Sequence, residues 1–132
     1  MSALDEFDRL DALPEDGLLG EWDGELLPTG HPGEQLLDRL RWVGKRFVSR
    51  DEVYPLICLS ESGEREVNPV MGEATVRMVE YRGVVTATMV YDKHPIFDSF
   101  RAVDADTVMG AMDRKGDAAP LMFVLRRRSA PA

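Results

Sequence analysis

Apolar positions in residues 1–14 repeat every third residue. They are Leu4, Phe7, Leu10 and Leu13. A spacing of three places these side chains on one stripe of a helix, and a helix ends before a proline such as Pro14. The pattern therefore predicts a short N-terminal helix that packs on the outside or at the base of the domain.

From Leu18 to Glu25 the hydrophobic pattern changes to a period of two. Gly20, Trp22 and Gly24 share one face, and the residues between them are acidic. Alternation of this kind is typical of a strand with one buried and one wet face. A loop then leads into a second helical pattern at Gln35–Trp42, which we expect to cap the open mouth of a barrel.

The rest of the chain consists of strand-like segments separated by turns. The segments predicted as strands are Lys45–Arg50, Val53–Ser60, Glu64–Val67, Ala74–Tyr81, Val84–Tyr91, Ile96–Val103, Thr107–Asp113 and Leu121–Arg128. Turns at intervals of about eight to twelve residues are typical of a meander that closes on itself. The sequence thus predicts a mainly β fold, an antiparallel up-and-down barrel of about eight to ten strands. It forms a single domain over residues 1–132.

The negative net charge of the chain limits the classes of molecule that it is expected to bind. The 132 residues carry a formal net charge of −8, and residues 1–40 hold 11 acidic side chains but only two basic ones. A negative surface repels nucleic acid, so no nucleic-acid partner is expected. No segment approaches roughly 20 consecutive apolar residues, and the acidic N-terminus does not resemble a signal peptide. We therefore expect a cytoplasmic protein with no membrane span.

Trp22, between two glycines of the first strand, is predicted to have a structural role. Glycines on the same face leave room for a bulky ring and let the strand bend at a barrel corner. Arg126 follows the apolar end of the last strand. We expect its guanidinium to lie across the Trp22 indole and close the barrel base.

Several short motifs along the chain resemble one bacterial protein family, the GXWXG-domain proteins fused to a domain of unknown function. The matching stretches are Gly20–Gly24, Thr29–Pro32, Trp42–Phe47, Tyr81–Gly83, Tyr91–Asp92, Pro95–Arg101, Met109–Asp113 and Phe123–Arg126. The Gly-x-Trp start and arginine finish are also similar to the calycins, the lipocalin and fatty-acid-binding superfamily. That second resemblance implies a lipocalin-like barrel with an interior ligand, although a fold does not fix the ligand.

Five residues are candidates for contact with such a ligand: His31, Trp42, Lys45, Tyr91 and Arg101. Lys45 follows the predicted cap and could meet a charged head group, or its stem could pack on apolar surface while the amine stays wet. Arg101 could pair with Tyr91 at the head group, or form an ion pair with Asp98 on the outside. His31 is expected near the entrance.

Our interpretation is non-enzymatic binding or carriage of a fatty acid, phospholipid or similar amphiphile. The sequence contains no G-x-S-x-G, H-E-x-x-H or phosphate-binding glycine loop, and no Cys or Glu at metal-ligand spacing around the histidines. Neither a metal nor a cofactor is therefore expected. Two alternatives stay open: a haem protein or barrel enzyme that uses His31 or His94, and an interaction module whose interior is filled by side chains.

Overall fold

The computed structural model describes residues 1–129 as strands joined by short connections, with two short α-helices. The helices are α1 (Ala3–Asp8) and α2 (Gly33–Arg39). The strands are β1 (Asp11–Ala12), β2 (Gly20–Leu26), β3 (Trp42–Ser49), β4 (Glu52–Leu59), β5 (Arg65–Val67), β6 (Ala74–Tyr81), β7 (Val84–Tyr91), β8 (Ile96–Asp104), β9 (Thr107–Arg114) and β10 (Leu121–Ser129). Single 3₁₀ turns span Glu15–Leu18 and Pro69–Met71. No helix within residues 1–129 is long and apolar enough to cross a membrane.

Eight strands close into a barrel. Their order is β8, β7, β6, β4, β3, β2, β10 and β9, and β9 pairs again with β8. Every pairing is antiparallel, and neighbours in the barrel are neighbours along the chain apart from β5, which adds to β4, and the closing pair β2–β10. The mainly β, antiparallel up-and-down barrel predicted from the sequence is confirmed.

The barrel interior holds the larger hydrophobic core. It includes Trp22, Phe47, Phe100 and Leu125, all buried, with Phe47 and Phe100 in edge-to-face contact at 6.2 Å between ring centroids. A second, smaller core lies outside the barrel, where Phe7 of α1 packs on β9 and β10. The N-terminal helix therefore lies on the outer wall, as expected.

Helix α1 is shorter than the sequence pattern predicts. Its start is fixed by Ser2, whose Oγ accepts from the backbone N–H of Asp5 while the Asp5 carboxylate accepts from the backbone N–H of Ser2. Its end comes at Asp8 because the following residues bind the barrel in extended form. Leu13 donates its backbone N–H to Thr86 Oγ1 and accepts from Ala87 N–H at 2.9 Å.

Helix α2 begins and ends earlier than predicted, and Trp42 belongs to β3 instead of the helix. Arg41 has a φ of 57°, a left-handed conformation that stops the helix and reverses the chain. Trp42 then pairs with Cys58 of β4. This reversal is what directs the indole of Trp42 into the barrel.

Candidate functional site

One end of the barrel interior is closed by Trp22 and the 3₁₀ turn before β2. The indole N–H of Trp22, which is fully buried, donates to the Leu18 carbonyl at 2.8 Å. The guanidinium of Arg127 lies 4.3 Å from the Trp22 ring centroid and donates to the carbonyls of Leu19 and Gly17 at 2.6 and 3.2 Å. Together these contacts hold the turn against the barrel.

The arginine across the indole is therefore Arg127, and the prediction of Arg126 was wrong. Side chains alternate along β10, and the buried Phe123 and Leu125 share the inward face with Arg127. Arg126 points outward and forms an exposed ion pair with Glu25 at 2.9 Å.

Towards the opposite end, the apolar interior contains a buried ion pair. Lys45 of β3 and Asp98 of β8 are 3% and 1% exposed, and Lys45 Nζ lies 3.3 Å from Asp98 Oδ2. The same ammonium donates to the Pro55 carbonyl at 3.1 Å. Neither charged group reaches solvent, so contacts within the barrel must offset the hydration that both groups lose on burial.

Aromatic rings surround the ammonium. Lys45 Nζ lies 5.4 Å from the ring centroid of Trp42 and 5.2 Å from that of Phe123, distances typical of cation–π contact. Trp42 reaches this position because Gly24 has no side chain, since a Cβ there would lie 2.3 Å from the indole Cη2. The second glycine of Gly-x-Trp-x-Gly thus makes room for a different tryptophan from the one inside the motif.

Burial changes the acid–base properties of this cluster. It raises the pKa of Asp98 to about 6, although Lys45 opposes the change. Burial also lowers the pKa of Lys45, again against the attraction of its partner. The pKa of Tyr91 lies well above its ordinary value, first because of burial and then because of the nearby Asp98 carboxylate.

The cluster borders a small space of about 20 Å³ inside the barrel, here called the interior cavity. Its polar lining is Lys45, Tyr91 and Asp98, and its apolar lining includes Leu37, Trp42, Met112, Leu121 and Phe123. Within the described residues, both carboxylate oxygens of Asp98 and the indole Nε1 of Trp42 are buried without a hydrogen-bond partner, and Asp98 Oδ2 has only the ionic contact with Lys45 at 3.3 Å. Buried polar atoms of this kind are rare in proteins and mark places where another polar group belongs.

Leu37 and Trp42 separate the interior cavity from a larger space, here called the outer cleft. The outer cleft has a volume of about 270 Å³ and lies between α2 and the end of β2, and its lining combines apolar side chains with the charged Glu25, Asp38 and Arg41. No residue of α2 is fully buried. Leu37 packs against the barrel core, and movement of α2 away from it would join the two spaces.

His31 does not line the interior cavity. Its Nδ1 accepts from Gly33 N–H at 2.9 Å, and its Nε2 lies 3.0 Å from Asp117 Oδ2 in the β9–β10 connection. It therefore ties the start of α2 to the barrel rim. It also borders a mostly apolar space of about 360 Å³ against α1, here called the α1 cleft.

The haem alternative requires a free imidazole nitrogen and a porphyrin-sized space. Both ring nitrogens of His31 are engaged, and the interior cavity has the volume of a single water. His94 is half-buried beside the Tyr91 ring at 6.3 Å and does not line the interior cavity. Neither histidine therefore presents a free imidazole nitrogen to the interior cavity.

Arg101 lies on the outward face of β8 and is not close to the interior cavity. Its Nη1 donates to the carbonyls of Phe7 and Leu10 at 3.1 and 3.0 Å, and its guanidinium lies 4.6 Å from the Phe7 ring centroid. It anchors the end of α1. Of the five residues predicted to contact a ligand, the structure brings Trp42, Lys45 and Tyr91 together and places His31 and Arg101 elsewhere.

Asp98 is the functional candidate that sequence reasoning left out of the ligand set. A usable signal was present, because Asp98 shares a strand face with Ile96 and Phe100, both buried. An acid on an apolar face implies a buried partner. Which basic residue faces it depends on pairing across the barrel, which the sequence does not reveal.

Comparisons with known proteins give a family but no activity. Residues 5–63 match the family model described as GXWXG protein, and residues 72–127 match the family described as domain of unknown function DUF4334. No curated protein is significantly similar to this chain.

A solved structure is similar over nearly the whole chain. It is the crystal structure of a protein from Thermomonospora curvata, with 43% sequence identity and a TM-score of 0.92. The match covers 96% of this chain and 85% of that one. Its description states no ligand or activity, so the similarity concerns family and fold.

Proposed function

The chain belongs to the GXWXG protein family in its N-terminal half and to DUF4334 in its C-terminal half, and from that premise we propose that its barrel binds a small, largely apolar molecule without transforming it. The bound molecule enters beneath α2. Its single polar group meets Lys45, Tyr91 and Asp98 in the interior cavity, and its apolar part occupies the outer cleft.

The observation that carries this proposal is the buried Lys45–Asp98 pair beside a cavity. A buried ion pair is weak evidence for stability, because well-packed apolar residues of similar volume often serve a fold equally well or better. Polar groups in an otherwise apolar pocket, with shifted pKa values, are typical of binding sites. The unpartnered Asp98 Oδ1 supports the same interpretation.

The outer cleft supports a small ligand over a phospholipid. Ligand pockets usually range from about 300 to 1,000 Å³, and the outer cleft, at about 270 Å³, is near the lower end. Movement of α2 away from the barrel would add the interior cavity and the volume of the Leu37 side chain to the outer cleft. The calycin resemblance agrees with an interior ligand, but only by analogy of fold.

Fluorescence titration with 1-aminoanthracene, a small uncharged aromatic probe, tests the proposal. Leu37 lines both the interior cavity and the outer cleft, whereas its neighbour Leu36 is exposed on the same helix. We expect saturable binding by the wild type and by Leu36→Trp, and binding at least about tenfold weaker by Leu37→Trp, a loss of about 1.4 kcal/mol.

Circular dichroism and thermal unfolding of both variants serve as folding controls. The proposal fails if the wild type shows no saturable binding, or if folded Leu37→Trp and Leu36→Trp bind the probe equally well.

A further inference from the structure

The polar cluster of the interior cavity carries no net charge. Lys45 and Asp98 neutralise each other, and the remaining lining residues, such as Tyr91 and Phe123, are uncharged side chains. No arginine lines the interior cavity among the described residues, since Arg101 anchors α1 on the outer wall and Arg127 lies over Trp22 at the other end of the barrel. A carboxylate or phosphate added here would be a buried charge without a partner, which is strongly unfavourable.

The hydrogen-bonding capacity left in the cluster includes both an acceptor and a donor. Asp98 Oδ1 is an acceptor without a partner. An ammonium has three N–H donors; Lys45 donates one to the Pro55 carbonyl and has an ionic contact with Asp98 Oδ2 at 3.3 Å, and Trp42 Nε1 is a further donor without a partner. A ligand group that both donates and accepts therefore fits better than one that only accepts.

The size of the interior cavity limits this group further. About 20 Å³ accommodates one water-sized group and no more. A hydroxyl combines a donor and an acceptor on one oxygen atom. An ether or a carbonyl oxygen accepts only and would leave Asp98 Oδ1 unpaired.

We infer that the ligand class is a small apolar alcohol, whose uncharged hydroxyl donates to Asp98 and accepts from Lys45. This inference rests on the proposed function, because it concerns the polar group of the same ligand. The alkyl or ring portion lies beneath α2, in the space bounded by Gly24, Leu37 and Trp42.

Isothermal titration calorimetry with four ligands that each contain a chain of nine carbon atoms tests the inference at pH 8. The ligands are 1-nonanol, nonanoate, methyl nonyl ether and nonane. A site built to hydrogen-bond a hydroxyl discriminates strongly against analogues that lack it. We expect 1-nonanol to bind at least about tenfold more tightly than each of the others.

The double variant Lys45→Met/Asp98→Leu is the matched control, because it removes the pair without leaving one charge unpartnered. We expect it to lose the preference for 1-nonanol over the ether. Nonanoate binding as tightly as 1-nonanol, or the preference persisting in the double variant, would overturn the alcohol inference and leave the proposed function standing. A wild type that binds none of the four ligands would overturn both.

Discussion

At the scale of single residues, Gly24 and Trp42 depend on each other. The indole of Trp42 occupies the volume that a side chain at position 24 would need. Because Trp42 also lines both the interior cavity and the outer cleft, this contact sets the shape of the candidate site.

We expect Gly24→Ala to lower the free energy of unfolding by about 1–3 kcal/mol, because the added methyl overpacks the indole. Trp42→Phe should recover part of that loss. Urea unfolding of both single variants and the double variant would show a coupling energy of about 0.5–3 kcal/mol. Additive effects would mean that the ring does not occupy this position.

The two neighbouring arginines of β10 offer a second comparison. Arg127→Met removes a cation–π contact and two hydrogen bonds to backbone carbonyls, so we expect a loss of about 2 kcal/mol or more. Arg126→Met removes only an exposed ion pair and should change the free energy of unfolding by less than about 0.5 kcal/mol. Equal effects in urea unfolding would contradict the assigned closure of the barrel.

The sequence allowed residues of the candidate site to be identified, but it did not show which side chains contact one another. Trp42, Lys45 and Tyr91 were predicted as site residues and do line one cavity. The outward direction of Arg101 was not predictable, because both faces of β8 mix charged and apolar groups. The pattern therefore does not indicate whether Arg101 or Asp98 faces the core. The structure resolves this through the packing of α1 on the outer wall.

At the scale of elements, α2 and α1 differ in how firmly they are held. Helix α1 buries Phe7 completely and is anchored by Arg101, whereas α2 has no fully buried residue. Their similar lengths make the two helices a fair comparison.

We expect the backbone amide of Leu40, bonded to the Leu36 carbonyl in α2, to exchange with solvent faster than those of β3 and β9. Saturating 1-nonanol should slow it, because the ligand holds the cap closed. Hydrogen exchange followed by NMR gives both rates, and the Glu6 amide of α1 is the internal reference. Protection of Leu40 equal to that of the barrel strands in the free protein would contradict a mobile cap.

The boundaries of the two helices are determined by tertiary contacts more than by the local hydrophobic pattern. Leu10 and Leu13 continue the spacing of α1, yet Leu13 is buried in the barrel core, and its backbone is bonded to β7. Contact with the barrel buries more apolar surface than Leu10 and Leu13 would bury as part of a longer isolated helix. The cap helix itself was predicted, but its end depends on the left-handed Arg41.

At the scale of the whole molecule, the buried pair makes stability depend on pH in an unusual direction. The pKa of Asp98 is raised from 3.8 to about 6 by burial, so the folded state binds a proton more readily than the unfolded chain. Stability from this group is fully present below pH 4 and is lost as pH rises through 6.

We expect the wild type to lose about 2 kcal/mol relative to Lys45→Met/Asp98→Leu between pH 4 and pH 7. At pH 7 the double variant should be as stable as the wild type or more stable, by up to about 4 kcal/mol. Urea unfolding of both proteins at four pH values gives the difference between their free energies of unfolding. The contributions of the acidic residues that both proteins share cancel in this difference. A wild type that gains relative stability as pH rises would mean that Lys45 lowers the pKa of Asp98 overall.

The closed barrel was predictable because regular turns and alternating strands leave few other arrangements. The position of the cavity was not. It depends on which inward side chains meet across the barrel, such as Trp42 over Gly24 and Lys45 beside Asp98. These contacts join residues far apart in sequence, and no local pattern encodes them.

The most direct test of an interior ligand is to locate one by NMR. Intermolecular NOEs from ¹³C-labelled 1-nonanol should reach the methyl groups of Leu37 and Met112, which line the interior cavity. NOEs to Leu4 and Met122 instead would place the molecule in the larger α1 cleft on the outside of the barrel, and would contradict the account.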